Sequence, residues 1–200
     1  MRLLGWPPQR RLGARPERAG ESTAEALLRQ RVRVGLPLVF VWAWLAGPSP
    51  LTFAIGAAIA LLGLLVRGAA ASHLLKHYGL ATAGPYALTR NPLYLGSTLV
   101  ASGLLVAAHS WVAGVLGAAY FLIFYPPAIQ REERRLRARY GSAFDEYAAR
   151  VPRFWPRLRA TSSTRFGWSW RLYARNNEYT AAIGVLIGLV FLWLKMRRGS

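Results

Sequence analysis

Cysteine is absent from the 200-residue sequence, which excludes disulfides, thiolate nucleophiles and thiolate metal sites. Acidic residues are scarce, because eight Asp and Glu stand against 26 Lys and Arg and leave a formal charge of +18. Only three histidines are present, without the spacing of a zinc protease. His73 and His77 lie four apart but have no carboxylate near them in sequence, so we expect no metal site.

Charge is missing from three long runs. No Asp, Glu, Lys or Arg occurs in residues 34–66, 91–130 or 179–194, and 54% of the chain is hydrophobic. Uncharged runs of this length are what the hydrocarbon core of a bilayer requires. A water-soluble protein with unusually buried core helices is the disfavoured alternative. The sequence therefore predicts an integral membrane protein.

The basic residues flank these runs. Eight lie in residues 1–33, three in 67–90, twelve in 131–175 and three in 195–198. Loops rich in Lys and Arg are typical of the cytoplasmic side, where they lie against anionic headgroups. We therefore expect membrane lipids rather than nucleic acid as the partner of this charge. The amino terminus and the connections at 67–90 and 131–175 are predicted to be cytoplasmic.

Glycine and proline divide the runs into helices. Gly47-Pro48-Ser49-Pro50 is a turn that no helix continues through, and His109-Ser110 divides a run too long for one span. The predicted fold is all-α, with four membrane-spanning helices at about residues 31–46, 51–78, 93–108 and 111–125. The last of them should end at Pro126-Pro127.

The two ends of the chain are less regular. Residues 1–20 are predicted to be a disordered basic tail and 22–33 a lead-in helix, so that 1–30 precede a membrane domain over 31–200. The run 179–194 predicts a fifth helix. It could span the membrane, which would put Lys195 outside against the positive-inside rule, or lie at the interface.

Two polar segments adjoin the apolar runs. In "GPYALTRNPLYLGS", residues 84–97, Asn91-Pro92 is typical of a helix start, with Asn as the cap. In "REERRLRARYGSAFDEYAARVPRFWP", residues 131–156, the glutamates could simply pair with basic residues, as Glu133 with Arg137 along a helix or with basic loops nearby. Yet two adjacent glutamates at the surface of a strongly basic membrane protein also offer acceptors to a cationic or hydroxyl-bearing ligand.

Together the two segments resemble the isoprenylcysteine carboxyl methyltransferase and phospholipid methyltransferase group of integral membrane enzymes. The order and spacing of several short groups, over residues 77–157, carry the resemblance. These are Gly84-Pro85-Tyr86, Arg90-Asn91-Pro92-Leu93-Tyr94, Glu132-Glu133, Tyr140-Gly141, Tyr147, Val151-Pro152 and Pro156.

The resemblance implies that S-adenosylmethionine binds between elements at about 77–97 and 128–157. By position, the implied cofactor contacts are Tyr78, Gly79, Leu80, Ala81, Tyr86, Arg90, Asn91, Pro92, Leu93, Tyr94 and Glu132. Arg90 and helix-start amides suit the cofactor carboxylate, Glu132 suits its ammonium or ribose diol, and tyrosines suit the adenine ring. The catalytic residues stay open, with Asn91, Tyr94 and Arg131 as candidates.

Two positions depart from the family pattern. The family's histidine after the arginine is Asn91 here, which can hydrogen-bond but cannot titrate. The prenylcysteine enzymes place an arginine four residues before the first glutamate, where this chain has Ala128. A prenylated protein carboxylate is therefore not assumed as the acceptor.

The expected function is methyl transfer from S-adenosylmethionine to a lipophilic, membrane-partitioning acceptor at the cytoplasmic surface, in the inner membrane if the source is bacterial. One alternative is an NADPH-dependent membrane sterol or enone reductase, and another is a non-catalytic membrane binding protein of the same fold. The acceptor and the oligomeric state stay open.

Overall fold

The computed structural model describes residues 23–74, 79–157 and 168–199. Within these ranges the chain is helical and contains no strand. The elements are α1 Thr23–Leu45, α2 Pro50–His73, a 3-10 turn Gly84–Ala87, α3 Pro92–Ala108, α4 Trp111–Tyr140, α5 Ser142–Arg150, α6 Trp170–Arg175 and α7 Tyr179–Arg198. The predicted all-α class is confirmed for this part of the chain. The predicted tail at 1–20 and the site residue Tyr78 lie outside it.

The predicted turn between the first two helices is present. Helix α1 ends at Leu45, and α2 begins at Pro50 with Ser49 as its N-cap. The Ser49 hydroxyl accepts from the Thr52 amide, and the Thr52 hydroxyl accepts from the Ser49 amide at 3.1 Å. This reciprocal pair satisfies two backbone donors that a helix start leaves open.

Helix α1 corrects one expectation. The separate lead-in helix at 22–33 and span at 31–46 are in fact one helix, Thr23–Leu45, with Pro37 inside it. No glycine or proline interrupts residues 23–34, so nothing ends the helix between its basic and apolar halves. Pro37 removes only one backbone donor from the ladder.

Small residues let α2 and α3 pack backbone against backbone. A Cβ atom built on Gly56 would lie 2.4 Å from the Gly103 carbonyl oxygen, and one on Gly103 would lie 2.4 Å from the Ala60 amide nitrogen. Gly63 and Gly96 meet in the same way one heptad further along. Such close contact is how helices associate where water supplies no hydrophobic driving force.

The boundary between α3 and α4 confirms one prediction and corrects another. His109 ends α3 in the left-handed conformation, and the Ser110 hydroxyl caps α4 by accepting from the Ala113 amide. However, α4 does not end at Pro126-Pro127 but runs through both prolines to Tyr140. Two adjacent prolines remove only two backbone donors, which helices of this apolar type tolerate. Thirty residues make α4 about 45 Å long, well beyond a bilayer core.

Helices α2, α4 and α7 are each long and apolar enough to cross a membrane. Helix α3, with 17 residues, is apolar but shorter, and α1 is not among the candidates. Large apolar side chains point outward from these helices, for example Leu65 at 64%, Leu122 at 76% and Leu186 at 62% exposure. An exterior of this kind is stable in hydrocarbon and not in water.

Helix α7, for which the sequence allowed either a membrane-spanning or an interfacial position, lies along the bundle from one end to the other. At its start Glu178 contacts Arg67 of α2, and near its end the Lys195 ammonium donates to the carbonyls of Ala43 and Trp44, both at 2.8 Å. Those carbonyls belong to the C-terminal turn of α1, where a cation is favourable. Arg197 lies over the Trp193 ring at 5.5 Å.

Candidate active site

A cavity of about 740 Å³ lies at the end of the bundle where α4 projects. Its wall includes side chains from α1, α2, α3, α4, α5 and the loop that precedes α3. Every predicted cofactor residue that the structure describes lines it, namely Gly79, Leu80, Ala81, Tyr86, Arg90, Asn91, Pro92, Leu93, Tyr94 and Glu132. The structure thus brings together, around one cavity, residues that are up to 53 positions apart in sequence.

The loop on the cavity wall is held by the segment that follows α5. The amide of Arg90 donates to the Pro152 carbonyl at 2.9 Å, and the amide of Arg157 donates to the Leu88 carbonyl at 3.0 Å. The Thr89 hydroxyl, almost fully buried, donates to the Phe154 carbonyl at 2.9 Å. Backbone groups on both segments are paired, so the loop is fixed rather than left to water.

Asn91 occupies the predicted N-cap position of α3, and Pro92 follows at the first helical position. Its side chain nevertheless makes no capping hydrogen bond. The side-chain Nδ2 of Asn91 instead donates to the backbone carbonyl of Arg153 at 2.9 Å. The expectation that this side chain caps the helix is therefore wrong, because the neighbouring segment offers it a different acceptor.

At two positions the backbone geometry requires glycine. Gly84 has φ +61°, and a Cβ there would lie 2.5 Å from the His73 ring. Gly141, between α4 and α5, has φ +55° and ψ −129°, a conformation that is essentially confined to glycine. It turns the chain so that α5 folds back towards the loop.

The two glutamates of α4 have different surroundings. Glu132 is exposed and lines the cavity. Glu133 is buried at 8% exposure and pairs with Arg153 at 3.0 Å and with Arg90 at 3.5 Å. The expected partner Arg137 instead pairs with Asp145 at 2.6 Å. The predicted pairing of Glu133 with Arg137 is wrong, and the alternative pairing with a nearby basic loop is confirmed, because the segment after α5 covers Glu133 and brings Arg153 to it.

Two other predicted residues have positions that narrow their roles. Arg131 is half-buried and lies outside the residues that line the cavity. Arg90 lines the cavity, but its Nε faces Glu133. Neither Arg90 Nε nor Glu133 Oε1 has a hydrogen-bond partner, so this contact is an ion pair without a hydrogen bond.

An aromatic wall forms the other part of the cavity. It consists of Tyr94, Tyr120, Phe124 and Tyr125. The Tyr94 and Tyr125 rings meet edge to face with centroids 5.4 Å apart, and Tyr120 and Phe124 lie 4.8 Å apart. Ala128 lines the cavity one turn further along α4, so no arginine from that position reaches the site.

Comparison with known families agrees with this arrangement. The family model for phospholipid methyltransferase matches residues 51–143. Through this segment, slightly less than half of its length, the chain is similar to the phospholipid methyltransferase family. The segment includes α2, α3, the cavity loop and the part of α4 that carries both glutamates.

Curated relatives of the chain match it over shorter or longer parts. The cobalt-zinc-cadmium resistance protein CzcN of Cupriavidus metallidurans is 40% identical over 83 residues, which are 42% of this chain and 38% of that protein. Methanethiol S-methyltransferase 2 of Bradyrhizobium diazoefficiens is 30% identical over 155 residues, 64% of this chain and 58% of that protein. Protein-S-isoprenylcysteine O-methyltransferase B of Arabidopsis thaliana is 26% identical over 114 residues, 54% of this chain and 58% of that protein. The chain thus spans 38–58% of the length of these relatives. No solved structure matches it.

Sequence reasoning missed one pair of charged residues at the wall of this cavity. Arg67 of α2 lines the cavity and binds Glu178 through two hydrogen bonds of 3.0 and 2.9 Å. The available signal was a single arginine inside an apolar helix and a single glutamate just before the last apolar run. Because the two residues are 111 positions apart in sequence, no local pattern could pair them.

Proposed function

We propose that this protein transfers a methyl group from S-adenosylmethionine to a lipophilic acceptor at the membrane surface. One observation carries the proposal. The loop at 79–94 and the glutamate-bearing end of α4, two elements of the family-matched segment, line a single cavity of about 740 Å³. This volume is in the range of pockets that bind small molecules.

The residues present fit the chemistry of the cofactor. Glu132 offers a carboxylate to the ammonium or the ribose diol, and charge-assisted hydrogen bonds of this kind are strong. The backbone at 79–81 supplies uncharged donors and acceptors, and Tyr94 offers an aromatic face to the adenine ring. When bound, the cofactor supplies an electrophilic methyl group.

The chain contributes alignment and exclusion of water. Bringing two reactants together in a water-poor site can supply much of the acceleration, and an anionic acceptor needs no general base. Burial raises the pKa of the Tyr147 hydroxyl, and burial together with Tyr147 raises the pKa of Tyr86. Both hydroxyls therefore stay protonated at neutral pH and serve as hydrogen-bonding groups rather than bases.

The aromatic wall supports an apolar acceptor. Tyr120, Phe124 and Tyr125 come from the apolar part of α4, whereas the polar cofactor-side residues come from the loop and from the charged end of α4. An acceptor that partitions into the bilayer could meet the site from this side. Two relatives are named for methylation of an isoprenylcysteine and of methanethiol, so acceptor identity varies among similar proteins.

We also propose that the cavity faces the cytoplasm and that α1, α2, α3, α4 and α7 all cross the membrane. The loop at 79–91 and the end of α4 lie at the cavity end of the bundle, with the basic stretch 131–157. Uncharged turns at 46–49 and 109–110 lie at the opposite end, where the Gly47 amide donates to the Ala108 carbonyl at 2.8 Å. An excess of Lys and Arg on one side is the pattern of a cytoplasmic face.

Binding and transfer are tested on the purified full-length protein in lipid nanodiscs. Calorimetry should detect binding of S-adenosylhomocysteine and no binding of NADPH. The variant Glu132→Gln should bind S-adenosylhomocysteine more weakly. Methyl-labelled cofactor with a lipid extract should then put label into the organic phase. Binding of NADPH alone would favour the reductase alternative, and binding of neither would favour a non-catalytic protein. Label found only in water-soluble products would contradict a lipophilic acceptor.

A further inference from the structure

Arg67 and Glu178 form a buried ion pair at the cavity. The Arg67 Nε and Nη2 atoms donate to the two Glu178 carboxylate oxygens at 3.0 and 2.9 Å. The side chains are only 21% and 8% exposed. A two-point arrangement like this fixes both the position and the orientation of the guanidinium.

The remaining contacts of Arg67 reach the start of α3. Its Nη1 donates to the Ser97 hydroxyl and, at 3.5 Å, to the Leu93 carbonyl. Leu93 and Ser97 line the same cavity as Arg67 itself. The guanidinium is therefore part of the cavity wall, whereas the carboxylate that balances it is not among the lining residues.

The position of Glu178 is determined by contacts outside the ion pair. Asn176, two residues earlier, donates from its side-chain amide to the Ala71 and Leu74 carbonyls at 2.9 and 3.1 Å. These are C-terminal carbonyls of α2, the helix that carries Arg67. Glu178 lies well beyond the family-matched segment, which ends at residue 143, so a segment outside that match completes the wall of the site.

The pair changes what charge the cavity can accept. A guanidinium without its carboxylate would put an uncompensated positive charge into a buried wall, where screening by water is weak. S-adenosylmethionine carries a sulfonium cation, and its product S-adenosylhomocysteine carries a neutral thioether at the same place. The two are otherwise alike, including their carboxylate and ammonium groups.

We propose that Glu178 is a specificity-determining positioning residue, which neutralises Arg67 so that the cavity accepts the cationic sulfonium form of the cofactor. This inference rests on the proposed function, because it concerns how that cofactor is tolerated. It assigns to the last helical segment a role in ligand selection rather than only in membrane anchoring.

The test measures dissociation constants for S-adenosylmethionine and S-adenosylhomocysteine and takes their ratio in each variant. Glu178→Gln keeps the size and the hydrogen bonding of the side chain but removes its charge. It should weaken binding of S-adenosylmethionine relative to binding of S-adenosylhomocysteine by roughly tenfold. Arg67→Met, which leaves Glu178 uncompensated, should shift the ratio in the opposite direction. The double variant Arg67→Met/Glu178→Gln removes both charges and should restore the wild-type ratio.

A matched control is Asp145→Asn, which breaks an exposed ion pair with Arg137 and should leave the ratio unchanged. If Glu178 had a purely structural role, Glu178→Gln would weaken binding of both ligands equally, and adding Arg67→Met would not restore it. If Glu178→Gln does not fold, the comparison of Arg67→Met with the double variant still tests the charge effect. An unchanged ratio in folded variants overturns the inference while leaving the proposed function intact. A wild-type protein that binds neither ligand overturns both.

Discussion

The Tyr147 hydroxyl donates a 2.7 Å hydrogen bond to the backbone carbonyl of Tyr86. Tyr147 lies on α5 and Tyr86 in the 3-10 turn, and both side chains line the cavity. They are buried at 5% and 7% exposure. Together with the bonds of Arg90, Thr89 and Asn91 to the segment after α5, this bond joins the two polar segments of the sequence, and it holds the loop against α5.

Replacing Tyr147 by Phe should lower the free energy of unfolding at neutral pH by about 1–2 kcal/mol, because a buried carbonyl loses its donor. The raised native pKa sets the pH dependence. Deprotonation favours the unfolded state, so the advantage of Tyr over Phe is full below about pH 10 and declines as the pH rises further. Thermal unfolding in detergent between pH 7 and pH 11 measures both effects. Tyr179→Phe, at an exposed site, is the control, and a wild-type advantage that grows with pH would contradict the assignment.

Glu132→Gln should weaken binding of S-adenosylhomocysteine about ten- to a hundredfold with little effect on stability, because an exposed cavity carboxylate loses its charge. Isothermal titration measures the affinity. The experiment depends on Glu132 being the ligand-facing member of the pair. Unchanged affinity in a folded variant would show that this carboxylate does not contact the ligand.

Glu133→Gln should have the opposite profile. Its charge is buried against Arg90 and Arg153, so we expect a loss of about 1–3 kcal/mol of stability, with a smaller direct effect on ligand affinity. The Arg153 side chain is itself 53% exposed, so water screens its ion pair with Glu133 and limits the contribution of that pair to the loss of stability. Unfolding and binding measured on the same samples separate the two effects. Equal profiles for the two glutamine variants would contradict the different surroundings of these neighbours.

Gly103→Ala should destabilise the bundle, because the new Cβ would meet the Ala60 amide nitrogen at 2.4 Å. Overpacking of this kind costs about 1–3 kcal/mol. Gly184→Ala in α7 is the matched control, because its Cβ would meet nothing within 4 Å. This variant should gain up to about 1 kcal/mol of stability from helix propensity. Thermal unfolding of the two variants in the same detergent checks the difference. Similar stabilities would contradict the close packing of α2 and α3.

Single cysteines test the proposed orientation without interference, because the chain contains no other cysteine. Gly47→Cys and Trp111→Cys lie at exposed positions of the turn end and should react with an impermeant reagent in intact cells. Ala143→Cys, exposed at the cavity end, should react only after permeabilisation. Labelling of Ala143→Cys alone in intact cells would reverse the orientation.

The local pattern of the sequence was enough to identify much of this protein. Uncharged runs and Gly-Pro breaks predicted a helical membrane-type fold and the turns at 47–50 and 109–110, because hydrocarbon excludes charge and proline interrupts backbone ladders. The family resemblance carried by the polar groups implied the loop before α3 and Glu132 as cofactor contacts, and these residues line one cavity. Signals of this kind lie within a few residues of one another along the chain.

Only the tertiary structure decided which groups are paired behind that cavity. Glu133 is buried by a segment 20 residues further on, the Asn91 side chain binds a carbonyl 62 residues away, and Arg67 binds Glu178 across 111 residues. The same charged or amide side chains are equally compatible with a solvated helix surface. Their surroundings depend on which distant backbone folds against them, and that is a property of packing rather than of local sequence.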